Sequence, residues 1–408
     1  MDIEIRTIRP DEMRAYAETI TGAFLDRPDI DQMVEQLERE VVLERTWAAF
    51  DGDQACGSFL SWATEVTVPG GARLPAAVVE AVTVRATHRR RGILRRMSAS
   101  AHAGIREGGE ALSVLYASEY PIYGRLGYGA ACRAATWTLD ASATGFHRAP
   151  QGRIELVPAD ATARDAMHSV YDTWRMGRAG EIRREESYWA YAIGERQVAW
   201  GERWNGFVAL HRDDDDQVDG YVRYRTHMKW EQRQSRSELL VDDLHALTDA
   251  AYDALWRFVA EIDLVTTVKA ERRSPSERLP WLLTNQRAAA VSDIGDGMWV
   301  RLLDVPRALA ARSYATAGSV VIEVVDAELP EPVRVALDAT PDGAECRVTD
   351  REPDLTLPIT ALGAAYLGGV PLGHAAIATG VDEHRPGAMR SLETLLRTID
   401  EPWCSTGF

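Results

Sequence analysis

Residues 82–95 read Val82-Thr83-Val84-Arg85-Ala86-Thr87-His88-Arg89-Arg90-Arg91-Gly92-Ile93-Leu94-Arg95. The stretch predicts a β-branched strand that leads through a basic, glycine-containing turn into an amphipathic helix. The free backbone N–H groups at the start of such a helix, together with its dipole, attract an anionic phosphate. The arginines would add charge-assisted contacts, and Gly92 would let the ligand approach the backbone. A basic helix start on a solvated face is the alternative, but the preceding Val-x-Val strand favours a phosphate site.

The same segment resembles the acetyl-coenzyme A signature of the GNAT acetyltransferase superfamily, Arg/Gln-x-x-Gly-x-Gly/Ala. It stands here as Arg89-x-x-Gly92-x-Leu94, and its last position departs from the signature. The run Thr-His-Arg-Arg-Arg-Gly is similar to one branch, the Eis (enhanced intracellular survival) family of bacterial aminoglycoside acetyltransferases. The resemblance implies acetyl-coenzyme A as co-substrate, bound by strand backbone at its pantetheine arm and by the turn at its pyrophosphate. The implied cofactor-binding residues are Val82, Val84, Arg89, Arg90, Gly92, Ile93 and Ser118.

Length and composition limit the remaining possibilities. A chain of 408 residues is long enough for two or three domains. Its formal net charge of −16 argues against nucleic acid or an anionic membrane surface as a partner. The sequence shows no signal peptide and no apolar run of about 20 residues that would span a bilayer. The four cysteines form no C-x-x-C pair and no histidine has metal-ligand spacing, so we predict a cytoplasmic protein with reduced thiols and no metal.

The predicted elements divide the chain into three units. Residues 1–149 follow the order β-α-α-β-β-β-α-β-α-β, which the resemblance identifies as a catalytic GNAT domain, with a strand at residues 134–139 closing it. Residues 150–303 open with a similar strand and helix and end with a similar strand at residues 297–302, which indicates a weak internal duplication. Residues 304–408 contain four predicted strands and two short helices.

The second and third units are predicted to differ from the first in function. Asp242 and Asp243 follow the central strand of the second unit, where the first unit has its arginines, and two carboxylates would repel a pyrophosphate. We therefore predict a second GNAT-like domain without a cofactor site. The third unit resembles the sterol carrier protein-like domain that closes Eis chains. The predicted fold class is thus α/β with mixed (α+β) sheets, as tandem GNAT domains followed by a sterol carrier protein-like domain.

A tyrosine is the candidate general acid. Tyr123 lies in Tyr123-Gly124-Arg125-Leu126-Gly127-Tyr128, which resembles the Tyr-x-x-x-Gly-Phe/Tyr element that carries the general acid in many GNAT enzymes. A tyrosine of pKa near 10 is a reasonable proton donor for a thiolate leaving group of pKa about 8–9. A packing-only role is the alternative for Tyr123. Ser118 also has an alternative role, since a serine at a strand end often satisfies backbone groups.

The candidate base comes from the resemblance. In Eis proteins the chain's own terminal carboxylate threads back into the active site, which implies that Phe408 carries the base here. A frayed terminus is the alternative. Such a carboxylate would be a weak base, so it would need partial desolvation or would act by orienting a neutral amine. Gly407 stands where Eis proteins can carry an acidic residue, which leaves the regiochemistry open.

The acceptor is predicted to be a small polycationic amine. Local matches to the Eis family imply that Phe24, Asp26 and Asp296 bind it, by an aromatic wall and two carboxylates. A helix end and a turn are the alternative roles of the two aspartates. The family also implies a homohexamer.

Three functional hypotheses remain at this point. The first is an acetyl-coenzyme A-dependent N-acetyltransferase that modifies aminoglycosides at one or several amines. The second keeps the chemistry but has a protein lysine or a polyamine as acceptor. The third is a lipid-binding protein that acts through residues 304–408, with a vestigial first unit.

Overall fold

The computed structural model describes residues 3–408, and the first part of the chain follows the predicted order of elements. Its first α-helix is amphipathic, since Met13, Tyr16 and Ile20 recur at helical spacing and are buried. That helix ends at Phe24, and the next residue, Leu25, has a positive φ of 60° that turns the chain. The elements up to Asp140 are β1 (Ile3–Thr7), α1 (Met13–Phe24), α2 (Ile30–Glu40), β2 (Thr46–Asp51), β3 (Gln54–Thr67), β4 (Arg73–Val84), α3 (Ile93–Glu107), β5 (Leu112–Tyr116), α4 (Tyr120–Tyr123), β6 (Gly129–Ala130) and β7 (Arg133–Asp140).

The second part has a similar order, and its two longest helices begin at residues that cap them. Asp160 accepts hydrogen bonds from the backbone N–H groups of Thr162 and Ala163. Thr248 likewise accepts one from the N–H of Ala251 at 3.1 Å. The elements of this part are β8 (Arg153–Val157), α5 (Ala161–Arg175), α6 (Glu186–Ala192), β9 (Phe207–Arg212), β10 (Val218–His227), β11 (Trp230–Glu231), β12 (Gln234–Ser235), β13 (Ser237–Ala246), α7 (Asp249–Ala260), β14 (Val265–Arg273), α8 (Leu279–Leu282), β15 (Ala289–Asp296) and β16 (Met298–Leu302).

The third part packs on the first through a shared apolar core. Val78 and Val114 of the first part belong to the same buried cluster as Val320, Leu355 and Leu362. The four predicted strands of this part are confirmed, and its last helix ends at Leu396. The elements are α9 (Val305–Ala311), β17 (Gly318–Val325), β18 (Val333–Thr340), β19 (Gly343–Val348), β20 (Leu355–Pro358), α10 (Ile359–Ala365), α11 (Leu372–Thr379), β21 (Asp382–Glu383) and α12 (Ala388–Leu396).

Within residues 3–408, the strands form two seven-stranded sheets, one five-stranded sheet and a two-stranded hairpin. The first sheet has the order β1-β2-β3-β4-β5-β16-β6, and the second has the order β15-β7-β14-β13-β10-β9-β8. The five-stranded sheet has the order β19-β18-β17-β20-β21. Each seven-stranded sheet contains a parallel strand pair, β4 with β5 and β13 with β14.

The two large sheets exchange strands, which corrects two predictions. Strand β7 was predicted to close the first unit, but it lies between β14 and β15 in the second sheet. Strand β16 was predicted to end the second unit, but it pairs with β5 and β6 in the first sheet. The segments cross where the N–H of Gly297 donates to the carbonyl of Cys132 at 2.9 Å. Residue alternation defines the faces of a strand but does not identify its partner, so sequence could not choose between two similar sheets.

The exchange ties the first two units into one body. A cut at residue 149 would remove β16 from the first sheet and leave β7 without its two neighbours in the second. The limits 1–149, 150–303 and 304–408 therefore stay predictions about order along the chain.

Two expectations from composition can be compared with the fold. All four cysteines are unpaired in the structure. Over the described residues, no helix combines the length and the apolar character needed to cross a membrane.

Candidate active site

The strands β4 and β5 separate near the residues predicted to hold the pantetheine arm. Their parallel pairing covers Ala76–Val78 on β4, and Ala81 then adopts a φ of 49° where the register with β3 shifts. The N–H of Arg85 donates to a carbonyl of β3 at 2.8 Å. Because successive N–H groups along a strand point to opposite edges, those of Val84 and Val82 face the gap beside β5. This edge is where an extended pantetheine chain would pair with backbone.

The basic turn leads directly into α3. Gly92 is the residue before the helix, with a φ of 73°, and a Cβ built on it meets nothing within 4 Å. The glycine thus serves a left-handed conformation and leaves open space in front of the helix. Arg89 and Arg90 are exposed there, whereas Arg91 lies back against Thr87, donating to its carbonyl at 3.4 Å.

The first turn of α3 supplies backbone donors. The first intrahelical bond runs from the N–H of Arg96 to the carbonyl of Gly92 at 3.1 Å, and the glycine has no side chain to cap the earlier N–H groups. Ile93 is 2% exposed, so it packs under the turn and would contact an anion through its backbone. The turn therefore fits a pyrophosphate.

Tyr123 lies on α4, just beyond the carboxyl end of β5. Its hydroxyl is 3.3 Å from that of Ser118, and its side chain is almost wholly buried. Burial raises the pKa of Tyr123, and the hydrogen bond with Ser118 offsets part of the rise. The phenol is therefore protonated at neutral pH. Tyr128 is also buried, with its hydroxyl 2.6 Å from Ser113 and 2.8 Å from His102, which indicates a structural role.

Residues 403–408 are docked between the first and second parts of the chain, so the terminus is not frayed. The indole N–H of Trp403 donates to the carbonyl of Arg272 at 2.7 Å, and the N–H of Ser405 donates to Glu181 at 2.8 Å. The hydroxyl of Tyr116 donates to the carbonyl of Thr406 at 2.9 Å. Each bond holds a different residue of the segment.

The ring of Phe408 completes this docking. It lies 4.7 Å from the ring of Tyr116 and 6.2 Å from that of Trp62, measured between centroids. A Cβ at Gly407 would come within 2.5 Å of a guanidinium nitrogen of Arg272, the far end of a flexible side chain that can move aside.

A buried arginine anchors the same segment. Arg184 donates to the hydroxyl of Thr406 at 2.9 Å and to Asp243 at 2.5 Å, and its guanidinium lies 3.8 Å from the ring centre of Tyr171. Asp243 also contacts His245 at 2.7 Å. Asp243 is thus a structural partner of the tail.

In the second part of the chain, protein groups occupy the region after the central strand β13, which corresponds to the open turn before α3 in the first part. Asp242 accepts hydrogen bonds from Arg225 and Trp204. A guanidinium nitrogen of Arg273 donates to the carbonyl of Leu244 on β13 at 2.8 Å, and Thr248 caps the helix that follows. Protein groups thus bond to this part of the backbone, and the lack of a cofactor site in the second unit stays a prediction.

The predicted acceptor residues lie in two places. Asp296 accepts a hydrogen bond at 2.6 Å from the indole of Trp299, whose ring centre is 6.4 Å from that of Tyr123. Phe24 and Asp26 lie at the end of α1, where Phe24 is 50% exposed and Asp26 accepts from the N–H of Arg27 at 2.8 Å. The structure thus brings Asp296 near the candidate acid, and the role of Phe24 and Asp26 stays a prediction.

Sequence reasoning missed three residues on one face of the first sheet: Trp62, Glu80 and Tyr116. The indole N–H of Trp62 donates to a carboxylate oxygen of Glu80 at 2.5 Å. Burial raises the pKa of Glu80, and the bond from Trp62 offsets part of the rise. The available signal was a lone carboxylate within the apolar strand at residues 76–84. In the part of the chain that the structure describes, no group of three His, Cys, Asp or Glu residues could hold a metal ion.

Comparison with known proteins agrees with this geometry. Two acetyltransferase (GNAT) domain models match residues 4–131 and 180–302, and a sterol carrier protein domain model matches residues 305–405. An uncharacterized N-acetyltransferase of Streptomyces avermitilis is 36% identical over 100% of this chain and 99% of that protein. The N-acetyltransferase Eis of Mycobacterium tuberculosis is 35% identical over 78% of this chain and 77% of its own. The crystal structure of Eis1 from Mycobacterium abscessus has a TM-score of 0.84 and 32% identity, with full coverage of both chains.

The domain order and the separated strands β4 and β5 define an N-acetyltransferase of the GNAT superfamily, a class of enzyme that uses acetyl-coenzyme A. The predicted fold class is confirmed. Within the superfamily, the chain belongs to the Eis family.

Proposed function

We propose that this enzyme transfers an acetyl group from acetyl-coenzyme A directly to amines of aminoglycosides, at one or several positions. The observation that carries the proposal is the meeting of three features at the carboxyl ends of β4 and β5. The free edge of β4 lies there, Tyr123 follows β5, and the ring of Phe408 packs on Tyr116, the last residue of β5. This arrangement supports a reaction in which a donor, an acid and a carboxylate act on one bond.

The donor would be held along its length by backbone and arginines. Arg89, Arg90 and the first N–H groups of α3, including that of Ile93, would bind the pyrophosphate. The N–H groups of Val82 and Val84 would pair with the pantetheine arm and polarise the thioester carbonyl. Ser118 would support the donor beside Tyr123.

The transfer itself needs one attack and two proton movements. The amine nitrogen attacks the thioester carbon, a C–N bond forms and the C–S bond breaks. Tyr123 gives its hydroxyl proton to the leaving thiolate. The carboxylate of Phe408 either takes the proton that the nitrogen loses or orients an amine that is already neutral. In the second case the proton released on C–N bond formation returns to the tyrosinate left at Tyr123.

The acceptor class rests on charge and on the family. Asp296, Asp26 and the aromatic face of Phe24 would hold the ammonium groups of a polycation by ion pairing and cation–π contact. The family also implies a cytoplasmic homohexamer, and light scattering of the purified protein would test the assembly.

A panel of acceptors tests the function. Purified enzyme is incubated with acetyl-coenzyme A and with aminoglycosides, polyamines or lysine peptides. Thiol release reports turnover, and mass spectrometry determines the masses of the products. We expect turnover on aminoglycosides, with the product mass giving the number of acetyl groups. No turnover on any aminoglycoside would overturn the proposal. Turnover on peptides or polyamines alone would assign the other acceptor class, and lipid binding without turnover would assign residues 304–408 the leading role.

A further inference from the structure

The segment that begins at the candidate acid is held by residues from later parts of the chain. Residues 123–129, here called the acid segment, run from the acid through a turn into β6. The hydroxyl of Thr360 on α10 donates to the carbonyl of Gly124 at 3.1 Å. Arg301 on β16 donates to the carbonyl of Leu126 at 2.7 Å. These donors lie 236 and 175 residues further along the chain than the carbonyl groups they bind.

Two glycines let the acid segment lie close to these neighbours. Gly127 has a φ of 82°, and a Cβ at this position would overlap the guanidinium of Arg301. A Cβ on Gly129 would collide with backbone atoms of Thr360 and Ala364 on α10. Backbone atoms of a helix cannot move aside as the end of a long side chain can. The glycines thus permit a contact between the acid segment and α10 that a larger residue would prevent.

Arg301 is itself held by two carboxylates from the third part of the chain. Asp326 accepts a hydrogen bond from its guanidinium at 2.6 Å and Glu328 accepts one at 2.9 Å. Both lie between β17 and β18, where the N–H of Glu328 also donates to Asp326 at 3.0 Å. Arg301 is fully buried, so loss of one carboxylate would leave part of a buried charge without compensation. The donor to Leu126 therefore has a fixed position.

Glu328 is connected to the acid segment by a second path. Its carboxylate lies 3.0 Å from Nδ1 of His102 on α3, and Nε2 of His102 lies 2.8 Å from the hydroxyl of Tyr128. Burial lowers the pKa of His102, so the ring is neutral and donates its single proton to the carboxylate. Nε2 then accepts from Tyr128, whose hydroxyl is also 2.6 Å from that of Ser113. The backbone N–H of Tyr128 donates to the carbonyl of Tyr123 at 3.1 Å.

We propose that the sterol carrier protein-like part of the chain positions the general acid, with Thr360, Asp326 and Glu328 as its positioning residues. The inference rests on the proposed acetyl transfer, in which Tyr123 protonates the leaving thiolate. The three residues act through the acid segment, which they bind directly, through Arg301 or through His102. They thereby fix the position of the phenol relative to the sulfur of a bound donor. This gives residues 304–408 a part in the reaction besides the terminal carboxylate.

Glu328→Gln tests the role with little change in shape. The neutral amide would weaken the bonds to Arg301 and His102, while Asp326 keeps its own bond to Arg301. We expect kcat to fall about tenfold, because a displacement of about 1 Å costs about 100-fold and the network is only partly lost. The Kd of acetyl-coenzyme A should not change. Glu331→Gln, at an exposed position between the same two strands, is the matched loss of one negative charge and should keep the wild-type kcat.

The alkaline limb of the pH profile distinguishes positioning from a general loss of stability. Burial raises the pKa of Tyr123, and the charge of Glu119 adds to the rise. A loosened acid segment would admit water to the phenol, so the pKa of Tyr123 should fall toward the ordinary value of a tyrosine. Glu328→Gln should therefore lose activity at a lower pH than the wild type does. A variant that is only less stable would keep the wild-type limb at temperatures where it remains folded.

Thr360→Val and Thr360→Ser supply a second measurement that does not depend on Glu328. Valine has nearly the shape of threonine but lacks the hydroxyl that donates to the carbonyl of Gly124, whereas serine keeps that hydroxyl. We expect Thr360→Val to lower kcat about fivefold, the rate equivalent of one hydrogen bond. Thr360→Ser should retain most of the wild-type kcat, which would assign the effect to the hydroxyl and not to packing.

The outcomes separate this inference from the proposed function. If Glu328→Gln keeps the wild-type kcat and alkaline limb, or if Thr360→Val and Thr360→Ser have equal kcat, the positioning role is overturned while acetyl transfer stands. Wild-type kcat in Tyr123→Phe would overturn the acid role and this inference together. If the wild type acetylates only polyamines or lysine peptides, the acceptor proposal fails and the same variants are measured with the active acceptor. A wild type without turnover on any amine would overturn both.

Discussion

Replacing Phe408 with alanine should undock the end of the chain without disturbing the donor site. The Phe408 ring makes aromatic contacts with Tyr116 at 4.7 Å and Trp62 at 6.2 Å between centroids, and it is partly buried. Each aromatic pair stabilises by about 0.5–1.5 kcal/mol beyond area burial, so the two together contribute about 2 kcal/mol. Thr406 keeps its bonds to Arg184 and Tyr116, so the loss is confined to the last two residues.

The effect on the reaction follows from that magnitude. If the docked carboxylate orients the acceptor, a loss of about 2 kcal/mol lowers kcat/KM for the amine about 30-fold. Thiol release gives kcat/KM, and calorimetry gives the Kd of acetyl-coenzyme A, which should not change. Phe408→Leu, which keeps part of the buried apolar surface, should fall between the wild type and Phe408→Ala.

A C-terminal tag provides an independent check of the same reasoning. It moves the terminal carboxylate away from Phe408 while keeping the ring, and we expect activity to fall at least as far as in Phe408→Ala. Wild-type kcat/KM in Phe408→Ala, or full activity in the tagged enzyme, would refute a role for this carboxylate.

Three further predictions address the acid, the turn and a buried histidine. Tyr123→Phe should lower kcat about 100-fold in the thiol assay with unchanged acetyl-coenzyme A affinity, and a pure affinity loss would contradict the acid role. Gly92→Ala, at a φ of 73°, should cost about 1 kcal/mol in urea unfolding and weaken acetyl-coenzyme A binding in calorimetry. An unchanged Kd would place the phosphates elsewhere. Burial lowers the pKa of His245 to about 4, so the unfolded chain binds more protons between pH 6.5 and 4. Stability should therefore fall by about 3 kcal/mol as pH drops through that window. His245→Gln, unfolded in urea at both pH values, should show a smaller fall, and an equal fall would assign the loss to other groups.

The parts of the fold that sequence predicted are those set by local chemistry. The strand, turn and helix around Gly92 follow from β-branched residues, a left-handed glycine and helical spacing, all within a short segment. The strands of the third part are similarly local, and all four that were predicted there are present.

The strand exchange depends on long-range pairing, and nothing within β7 or β16 encodes the sheet that each joins. Both strands contain a tryptophan, and both sheets offer a position beside a parallel pair. Both strands were therefore predicted at the right positions but assigned to the wrong sheets.

Only those residues of the candidate site that lie in short local motifs could be predicted from the sequence. Tyr123 and the arginine turn belong to short motifs, so their positions could be read along the chain. Glu80 accepts a hydrogen bond from Trp62, whose ring lies beside that of Phe408. Trp62 comes from another strand and Phe408 from the far end of the chain. Only the folded sheet brings these three residues to one face.

The exchange of β7 and β16 also has a consequence for synthesis on the ribosome. The edge of β5 receives its partner only after roughly 180 further residues have been added, which takes about 10–40 s at usual rates. During that interval a bare strand edge is exposed to other nascent chains. The yield of folded enzyme should therefore depend more strongly on growth temperature and chaperone supply than on the thermodynamic stability of the folded protein.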